Sequence, residues 1–287
     1  MRVHPHPSLP DTYGPSPQSV SPFTVANQRN LYYTVGNVPY KGGVRMQTQQ
    51  HIYVLSDIHG NLRRFRSILK QIHLQPEDTL YILGDVIDRH PDGIRILRQI
   101  MAMPNAKMLL GNHEYMMLRA LGQPYDDNQD DGGAVAHWYR NGGKVTHDHF
   151  KHIRKALRQQ ILDYLQALPL HYDIHAGGNC YKLVHAAAQE DFDHDPKYKN
   201  TVHFAVWKRW ESDAPSPGAY TLVFGHTPTR HYQDTAPMEI WFGPGRIGID
   251  CGSGYPEIGP ESSYGRLSCL RLDDGAVFYS EEAQPSP

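Results

Sequence analysis

The sequence lacks the features that mark secreted, membrane-spanning or disulfide-rich proteins. Its 287 residues include only three cysteines, Cys180, Cys251 and Cys269, and no two of them form a Cys-x-x-Cys pair. A small and odd number of thiols argues against a disulfide framework and favours reduced cysteines in a cytoplasmic protein. The N-terminus has no apolar secretory segment, and no apolar run approaches the roughly 18 residues of a membrane helix.

An excess of charge of either sign is also missing. The chain has 28 Lys and Arg against 30 Asp and Glu, which gives a formal net charge of −2. This balance predicts no nucleic-acid partner and no anchor at a membrane surface. The oligomeric state stays unknown. What the chain does have is 18 histidines. Imidazole is the commonest metal ligand in proteins, so the positions of these residues matter.

The first 45 residues differ in composition from the rest of the chain. They are rich in proline and serine and show no apolar periodicity, which is typical of disordered segments. We therefore predict a disordered or loosely packed extension over 1–45 and one folded domain over 46–287, which is long enough to bury a large core.

Strands and helices alternate from position 51 onward. Apolar runs predict strands over 51–56, 79–85 and 106–112, and helical periodicity predicts helices over 61–74 and 92–103. Two such strand–helix–strand units in succession indicate a parallel sheet. After a loop at 122–133, a helical block follows with its clearest helix at 151–168, and the chain is rich in strands from 169. We expect an α/β sandwich of two mixed sheets with helices outside.

Polar side chains stand where the three early strands end. Asp57, Asp85 and Asn112 follow these strands at nearly equal spacings of 28 and 27 positions, about one repeat. Because parallel strands end at the same edge of a sheet, which is where such sheets bind ligands, these side chains should lie together. A single strand-end aspartate is usually only a turn former or a helix cap.

Two later apolar runs also end in histidines, His185 and His226, and His59 follows Asp57 closely. The combined set has oxygen and imidazole ligands without a thiolate, which suits Mn²⁺, Fe or Zn²⁺ rather than a cysteine-type structural zinc site. Six ligands are too many for one tetrahedral ion but suit two ions that share a carboxylate. His175, which precedes a Gly-Gly turn, is an alternative to His185. We prefer His185 because it ends the returning strand.

Five motifs in order, DIHG (57–60), GDVIDR (84–89), GNHE (111–114), VHA (184–186) and FGHT (224–227), resemble a known family. This is the phosphoprotein phosphatase family of the calcineurin-like metallophosphoesterases, and the bacterial and lambda-phage serine/threonine phosphatases are the most similar members. The segments HWYRNGG (137–143) and VWKR (206–209) resemble the same enzymes. The family implies a four-layer β-sandwich of two mixed sheets flanked by helices, with 46–287 as the catalytic domain.

The resemblance also implies a role for each site residue. The family binds two divalent metal ions, for which we expect manganese, with iron or zinc as alternatives. Asp57 and His59 would bind the first ion, Asp85 would bridge the two ions, and Asn112, His185 and His226 would bind the second. His113 would be the general acid and Asp88 would orient it. Arg89, Arg209 and Asn112 would bind the substrate phosphate. The nucleophile would be a hydroxide that bridges the two ions.

The implied activity is phosphomonoester hydrolysis on phosphoserine and phosphothreonine proteins, with phosphotyrosine as a further substrate. One alternative is a symmetrical diadenosine tetraphosphatase or another small-molecule phosphoesterase. Those enzymes carry GNHD and lack the Asp-Arg pair, so Glu114 and the pair Asp88-Arg89 favour the protein phosphatase. An inactive binding scaffold is a third alternative, but every implied ligand is present. Ser56 departs from the family pattern, which has glycine there.

Overall fold

The structure is a computed structural model, and it describes residues 50–122, 133–216, 218–255 and 265–281. The described residues all belong to one unit of the chain, Thr48–Pro287. The predicted extension over 1–45 and most of the predicted loop over 122–133 lie outside the described residues, so both remain predictions.

Two mixed sheets, each of five strands, form the centre of the fold. The first has the order β10-β9-β1-β2-β3, with strands β1 (Ile52–Leu55), β2 (Thr79–Ile82), β3 (Ala106–Met108), β9 (Ser268–Arg271) and β10 (Val277–Tyr279). The second has the order β4-β5-β6-β8-β7, with β4 (His171–Ala176), β5 (Asn179–Val184), β6 (Thr221–Phe224), β7 (Trp241–Gly243) and β8 (Arg246–Gly248). β1, β2 and β3 pair in parallel, as the two repeats predicted.

Seven α-helices of the described residues flank the sheets, and two short 3-10 helices, Gln189–Asp191 and Thr229–His231, lie in the later connections. The α-helices are α1 (Leu62–Ile72), α2 (Gly93–Met101), α3 (Asn112–Ala120), α4 (Ala134–Arg140), α5 (Lys144–His152), α6 (Lys155–Gln166) and α7 (Thr201–Trp207). The predicted α/β class, with two mixed sheets flanked by helices, is therefore confirmed. Among the described residues, no helix is long and apolar enough to cross a membrane.

The single helix predicted over 151–168 is wrong. Residues 151–152 end α5, and α6 starts only at Lys155, because Ile153 and Arg154 are extended with ψ angles of 157° and 143°. Ile153 packs against the main apolar cluster. The apolar pattern continues through this break, so periodicity alone could not reveal it. The predicted strand over 106–112 is also shorter, because Asn112 already begins α3.

Successive side chains of the first sheet's strands alternate between its two faces and form an apolar layer on each face. In β1, Tyr53 and Leu55 belong to an apolar cluster that also contains residues of the helices. Val54 belongs to a second apolar cluster, which includes Val223 and Ile249 of the second sheet and the residues next to it. Successive side chains of a strand point to opposite faces, so each face is buried. This packing fixes β1, β2, β5 and β6 so that the polar residues after them meet at one place.

Candidate metal centre and active site

The six predicted metal ligands come together in the structure. Asp57 and His59 follow β1, Asp85 follows β2, Asn112 begins α3, His185 follows β5 and His226 follows β6. Each has at most 6% of its surface exposed. Buried polar groups persist in proteins only where partners or ions satisfy them, so the burial of six such groups close together indicates a binding site.

Backbone strain is concentrated at the same place. Eight non-glycine residues in the described part of the chain have positive φ, and six of them were predicted as site residues: Asp57, His59, Asp85, Asp88, Arg89 and His226. The left-handed region is costly for residues other than glycine and persists only where the surrounding structure imposes it. Such residues cluster at functional sites, and this observation is independent of the side-chain chemistry.

The first half of the centre places an imidazole nitrogen between two carboxylates. The Nδ1 of His59 lies 3.2 Å from the carbonyl oxygen of Ile87, to which it donates in the neutral ring. Its Nε2 then carries a lone pair, which faces Oδ1 of Asp57 and Oδ2 of Asp85, each at 3.7 Å. Three acceptor atoms therefore converge here, which is the arrangement that a cation satisfies.

The second half repeats the arrangement around Asn112. The Nδ1 of His185 donates to the carbonyl oxygen of Leu83 at 2.7 Å, so Nε2 is the acceptor of the neutral ring. That Nε2 lies 2.9 Å from Oδ1 of Asn112, and the Nδ1 of His226 lies 2.8 Å from the same oxygen. The lone pairs of the His185 Nε2 and the Asn112 Oδ1 repel at this distance unless a cation lies beside them, so the residues present fit a metal ion.

Burial shifts the pKa values of the predicted ligands, and only a neutral imidazole can bind a metal ion. Burial lowers the pKa of His185, and the pKa values of His59 and His226 well below the ordinary value, which keeps these imidazoles neutral. Burial, followed by the neighbouring carboxylates of Asp57 and Glu114, raises the pKa of Asp85 well above its ordinary value. Divalent cations would offset the cost of keeping these carboxylates charged.

Asp85 is shared by two groups of ligand atoms. One group is His59, Asp85 and His113, the other is Asp85, His185 and His226, and within each group the atoms lie within 4.8 Å of one another. Asp57 is outside the first group, and His113 is inside it. The geometry therefore allows His113 either to bind a metal ion or to act beside it.

His113 is held by a buried acidic partner. Its Nδ1 lies 2.7 Å from Oδ2 of Asp88, and the same oxygen accepts a hydrogen bond of 2.8 Å from the indole N–H of Trp138. The His113 Nε2 faces the Nη2 of Arg89 at 3.3 Å. With one nitrogen fixed by Asp88, the other is directed toward the space beside Asp85, 3.8 Å away.

Two predicted arginines and the alternative histidine occupy different surroundings. Arg89 and Arg209 are both exposed, and both lie near enough to lower the pKa values of buried imidazoles. Arg89 contributes, after burial, to the low pKa of His59, and Arg209 contributes, after burial and His185, to that of His226. His175 lies away from the centre, exposed on β4, with its Nδ1 3.3 Å from Sγ of Cys180.

Glu114 is a supporting residue that the sequence analysis did not assign to the site. It is fully buried, and its carboxylate accepts hydrogen bonds from the backbone N–H groups of Asp85, Val86 and Ile87 at 2.8, 2.9 and 3.3 Å. It also accepts one from Gly111 at 3.2 Å. Glu114 lies in the first turn of α3, where a glutamate side chain can reach back to free backbone N–H groups.

Ser56 supports the centre directly. Its hydroxyl donates to Oδ2 of Asp57 at 2.5 Å, and the N–H of His226 donates to the same oxygen at 3.0 Å. Gly225 passes so close that a β-carbon there would overlap both Ser56 and Asp57. The serine that replaces the family's glycine is therefore a hydrogen-bond donor to a predicted ligand.

Comparison with known proteins places this centre in a family. Residues 50–248 match the calcineurin-like phosphoesterase family. The chain belongs to this family. A calcineurin-like phosphoesterase is a hydrolase, and the matched segment contains every predicted ligand.

This phosphoesterase resembles curated proteins of at least two kinds. It is 38% identical to a symmetrical bis(5'-nucleosyl)-tetraphosphatase of Erwinia tasmaniensis, over 79% of this chain and 95% of the relative. It is 28% identical to serine/threonine-protein phosphatase 2 of Salmonella typhimurium, over 62% of this chain and 79% of that protein. A crystal structure described as a candidate diadenosine tetraphosphatase shares the fold, with a TM-score of 0.52 at 20% identity over 81% of this chain and 94% of that one.

Proposed function

We propose that this phosphoesterase hydrolyses bis(5'-nucleosyl) tetraphosphates symmetrically, the activity that the sequence analysis held as an alternative. The observation that carries the proposal is the 38% identity to the Erwinia tasmaniensis tetraphosphatase across 95% of that enzyme's length. The serine/threonine phosphatase of Salmonella typhimurium matches at lower identity and over less of its length. The similarity therefore supports the dinucleotide substrate better than a phosphoprotein.

The predicted ligand set would hold two divalent ions at Asp85. Asp57 and His59 would bind the first, and Asn112, His185 and His226 the second. Ions at these positions would supply Lewis acidity that activates water and neutralises phosphate charge. The oxygen and imidazole donors suit manganese, and they are compatible with iron or zinc.

The remaining residues of the centre would bind and orient the substrate. Arg89 and Arg209 are exposed at the centre, where their guanidinium groups would bind phosphate oxygens, as would the amide of Asn112. In symmetrical cleavage, the oxygen of water bonds to one of the two central phosphorus atoms. The bond from that phosphorus to the central bridging oxygen breaks, and two nucleoside diphosphates leave. His113, held by Asp88, would give a proton to the departing oxygen.

A phosphoserine or phosphothreonine protein is the second candidate substrate, and one observation favours it. The Asp88–His113 pair is buried, with 2.7 Å between the carboxylate oxygen and Nδ1, and this contact would orient His113 as a proton donor. A serine alkoxide is a strong base and needs a proton in order to leave, whereas a departing nucleoside diphosphate is a weak base with a phosphate pKa of ~6. An oriented acid is thus more valuable for phosphomonoesters of alcohols.

The test is a comparison of three substrates with the purified full chain and Mn²⁺. These are diadenosine tetraphosphate, a phosphoserine peptide and p-nitrophenyl phosphate. We expect the dinucleotide to give ADP as sole product, with a kcat/KM well above that of the peptide. A higher kcat/KM for the peptide would reverse the choice between the two candidates. Products ATP and AMP would contradict symmetrical cleavage, and full activity after metal removal would contradict the metal centre.

A further inference from the structure

Arg230 is a cation beside the metal centre that the reaction described above does not use. It lies in the short 3-10 helix Thr229–His231, four positions after the predicted ligand His226. Its side chain is exposed, and among the described residues its guanidinium group has an aromatic contact but no carboxylate partner. A guanidinium group carries five N–H donors. Arg230 can therefore offer both a positive charge and hydrogen-bond donors to an anion.

The Arg230 guanidinium is held in place by the ring of Tyr255. Its Cζ atom lies 4.5 Å from the centroid of that ring, within the distance at which a cation and an aromatic ring attract each other. The ring in turn packs against Gly252, where an added β-carbon would lie 2.7 Å from the ring atom Cδ2. Because a phenol ring carries no charge at neutral pH, the contact fixes the position of the arginine without neutralising it.

Tyr255 connects this pair to the first metal position. It follows Gly254, and a β-carbon added to Gly254 would lie 2.4 Å from Cδ2 of His59 and 2.5 Å from Nη1 of Arg89. The chain at Gly254 therefore passes directly against a predicted metal ligand and a predicted phosphate-binding residue. Arg230, which follows a predicted ligand of the second ion, thus reaches over to residues beside the first ion.

Arg230 also lies near Arg209, the second predicted phosphate-binding arginine. Burial, followed by Arg209 and then Arg230, lowers the pKa of His231, so both arginines lie near that imidazole. Arg89, Arg209 and Arg230 therefore border the same centre. A phosphate monoester presents a single phosphate there, whereas a nucleoside polyphosphate presents further phosphates beside the one under attack. Guanidinium groups match phosphate oxygens in both geometry and charge.

We propose that Arg230 binds a phosphate next to the one under attack, so that the centre prefers linked phosphates to phosphate monoesters. This inference rests on the proposed function, because it assigns the recognition of the phosphate chain in that substrate. It deepens that function, because it names the feature that the residue recognises, a chain of two or more phosphates. Hydrogen bonds from a guanidinium group to phosphate are charge-assisted and about twice as strong as neutral ones, so one such contact can separate the two classes of substrate.

Binding of ADP and AMP to the manganese-loaded full chain tests this assignment. The two probes share the nucleoside and one phosphate, and they differ only in the second phosphate. We expect ADP to bind at least about tenfold more tightly than AMP, and Arg230→Ala to remove about tenfold of the ADP affinity, the usual effect of losing one hydrogen bond to a charged group. The affinity for AMP should not change. Isothermal titration calorimetry at a fixed concentration of free Mn²⁺ gives both affinities.

Two further variants show whether the effect belongs to this arginine. Arg230→Lys keeps the charge but not the fork of donors, so it should restore part of the ADP affinity. The matched control is Arg98→Ala, which removes an exposed arginine of α2 that lies against the start of α6 and not at the centre. This control should change neither affinity.

The outcomes separate this assignment from the proposed function. Native protein that binds ADP no more tightly than AMP, or an unchanged ratio of affinities in Arg230→Ala, would overturn the assignment even if diadenosine tetraphosphate is hydrolysed. A lower ratio in Arg230→Ala alone would support it even if that dinucleotide is not hydrolysed, and the proposed function would then fail by itself. Equal weakening of ADP and AMP would place Arg230 at the attacked phosphate and so contradict the assignment, as would a similar loss in Arg98→Ala.

Discussion

The Nδ1–H of His113 donates to Oδ2 of Asp88 over 2.7 Å, and both side chains are buried. This bond fixes the ring so that Nε2 faces the Nη2 of Arg89 at 3.3 Å and lies 3.8 Å from Oδ2 of Asp85. It also fixes the tautomer, because the carboxylate accepts and cannot donate. The relationship suggests how the residue can act beside the metal ligands rather than as one of them.

Replacement of His113 tests that role. His113→Asn should retain both metal ions and lower kcat on a phosphoserine peptide by about 10²-fold or more. The loss on diadenosine tetraphosphate should be smaller, because its leaving group is a weak base. Steady-state kinetics with both substrates and elemental analysis of the protein measure these effects. If the metal content drops by one ion, His113 is a ligand, as its place in the group with His59 and Asp85 would allow.

Replacement of Asp88 tests the orientation of His113. Asp88→Asn should lower kcat on the phosphoserine peptide by about tenfold or more, with metal content unchanged, because the ring loses its charged acceptor. The control is Trp138→Phe, which removes the other donor to the same oxygen, at 2.8 Å, but leaves Asp88 and His113 in place. Equal losses of kcat in the two variants would show that Asp88 acts only through packing.

Ser56 is expected to strengthen metal binding. Ser56→Ala removes the donor to Oδ2 of Asp57 and should weaken the affinity for Mn²⁺ by about tenfold, the usual cost of losing a residue that orients a ligand. Ser268→Ala is the matched control, because this buried serine donates to the carbonyl oxygen of Ile249 at 2.7 Å and not to a ligand. Titration with Mn²⁺ gives both affinities. The same affinity in the two variants would contradict the role of Ser56.

Gly225 is needed because the backbone passes against Asp57. A β-carbon would overlap the Ser56 hydroxyl and the Asp57 carboxylate, so Gly225→Ala should lower the metal content and reduce stability by about 1–3 kcal/mol. At Gly248 the nearest atom to an added β-carbon is 3.3 Å away, on the Phe224 ring, so Gly248→Ala is the milder control. Elemental analysis and thermal unfolding measure both. Normal metal content in Gly225→Ala would contradict the close approach.

Lys182 should make stability depend on pH at a place outside the centre. Its ammonium lies 2.8 Å from carboxylate oxygens of both Asp173 and Glu190. Lys182 lowers the pKa of Asp173, and it lowers that of Glu190 although burial alone would raise it. Carboxylates with depressed pKa values stabilise the fold above their unfolded pKa values, ~4, and lose that effect as pH falls through the folded ones.

The measurement compares Tm of the native protein with that of Lys182→Met across pH. The native protein should be more stable at pH 7, and the difference should shrink as pH falls from about 5 toward 3. Burial alone would lower the pKa of Lys182, but bonds to the two carboxylates raise it. The same difference should therefore also shrink as pH rises through that raised pKa. A difference that does not vary with pH would show that Lys182 contributes through packing alone.

Much of the fold followed from local pattern. The alternation of apolar strands and one-sided helices predicted the parallel order β1, β2 and β3, and the spacing of Asp57, Asp85 and Asn112 predicted that they would meet. The apolar periodicity repeats within a few residues, and the spacing of the polar residues is read directly from the sequence, so neither feature needs tertiary information. The break at Ile153 between α5 and α6 could not be predicted, because the apolar pattern runs through it.

By itself the sequence determined which chemical groups stand at the strand ends, and therefore the kind of site that the fold can build. Only the tertiary structure decided how those groups are held. The N–H of His226 bonds to Asp57 although 169 positions separate them, and Glu114 bonds the loop after β2 from another element. The contact between Arg230 and Tyr255 likewise joins two separate loops. Such contacts depend on the packing of distant segments, which no local pattern encodes.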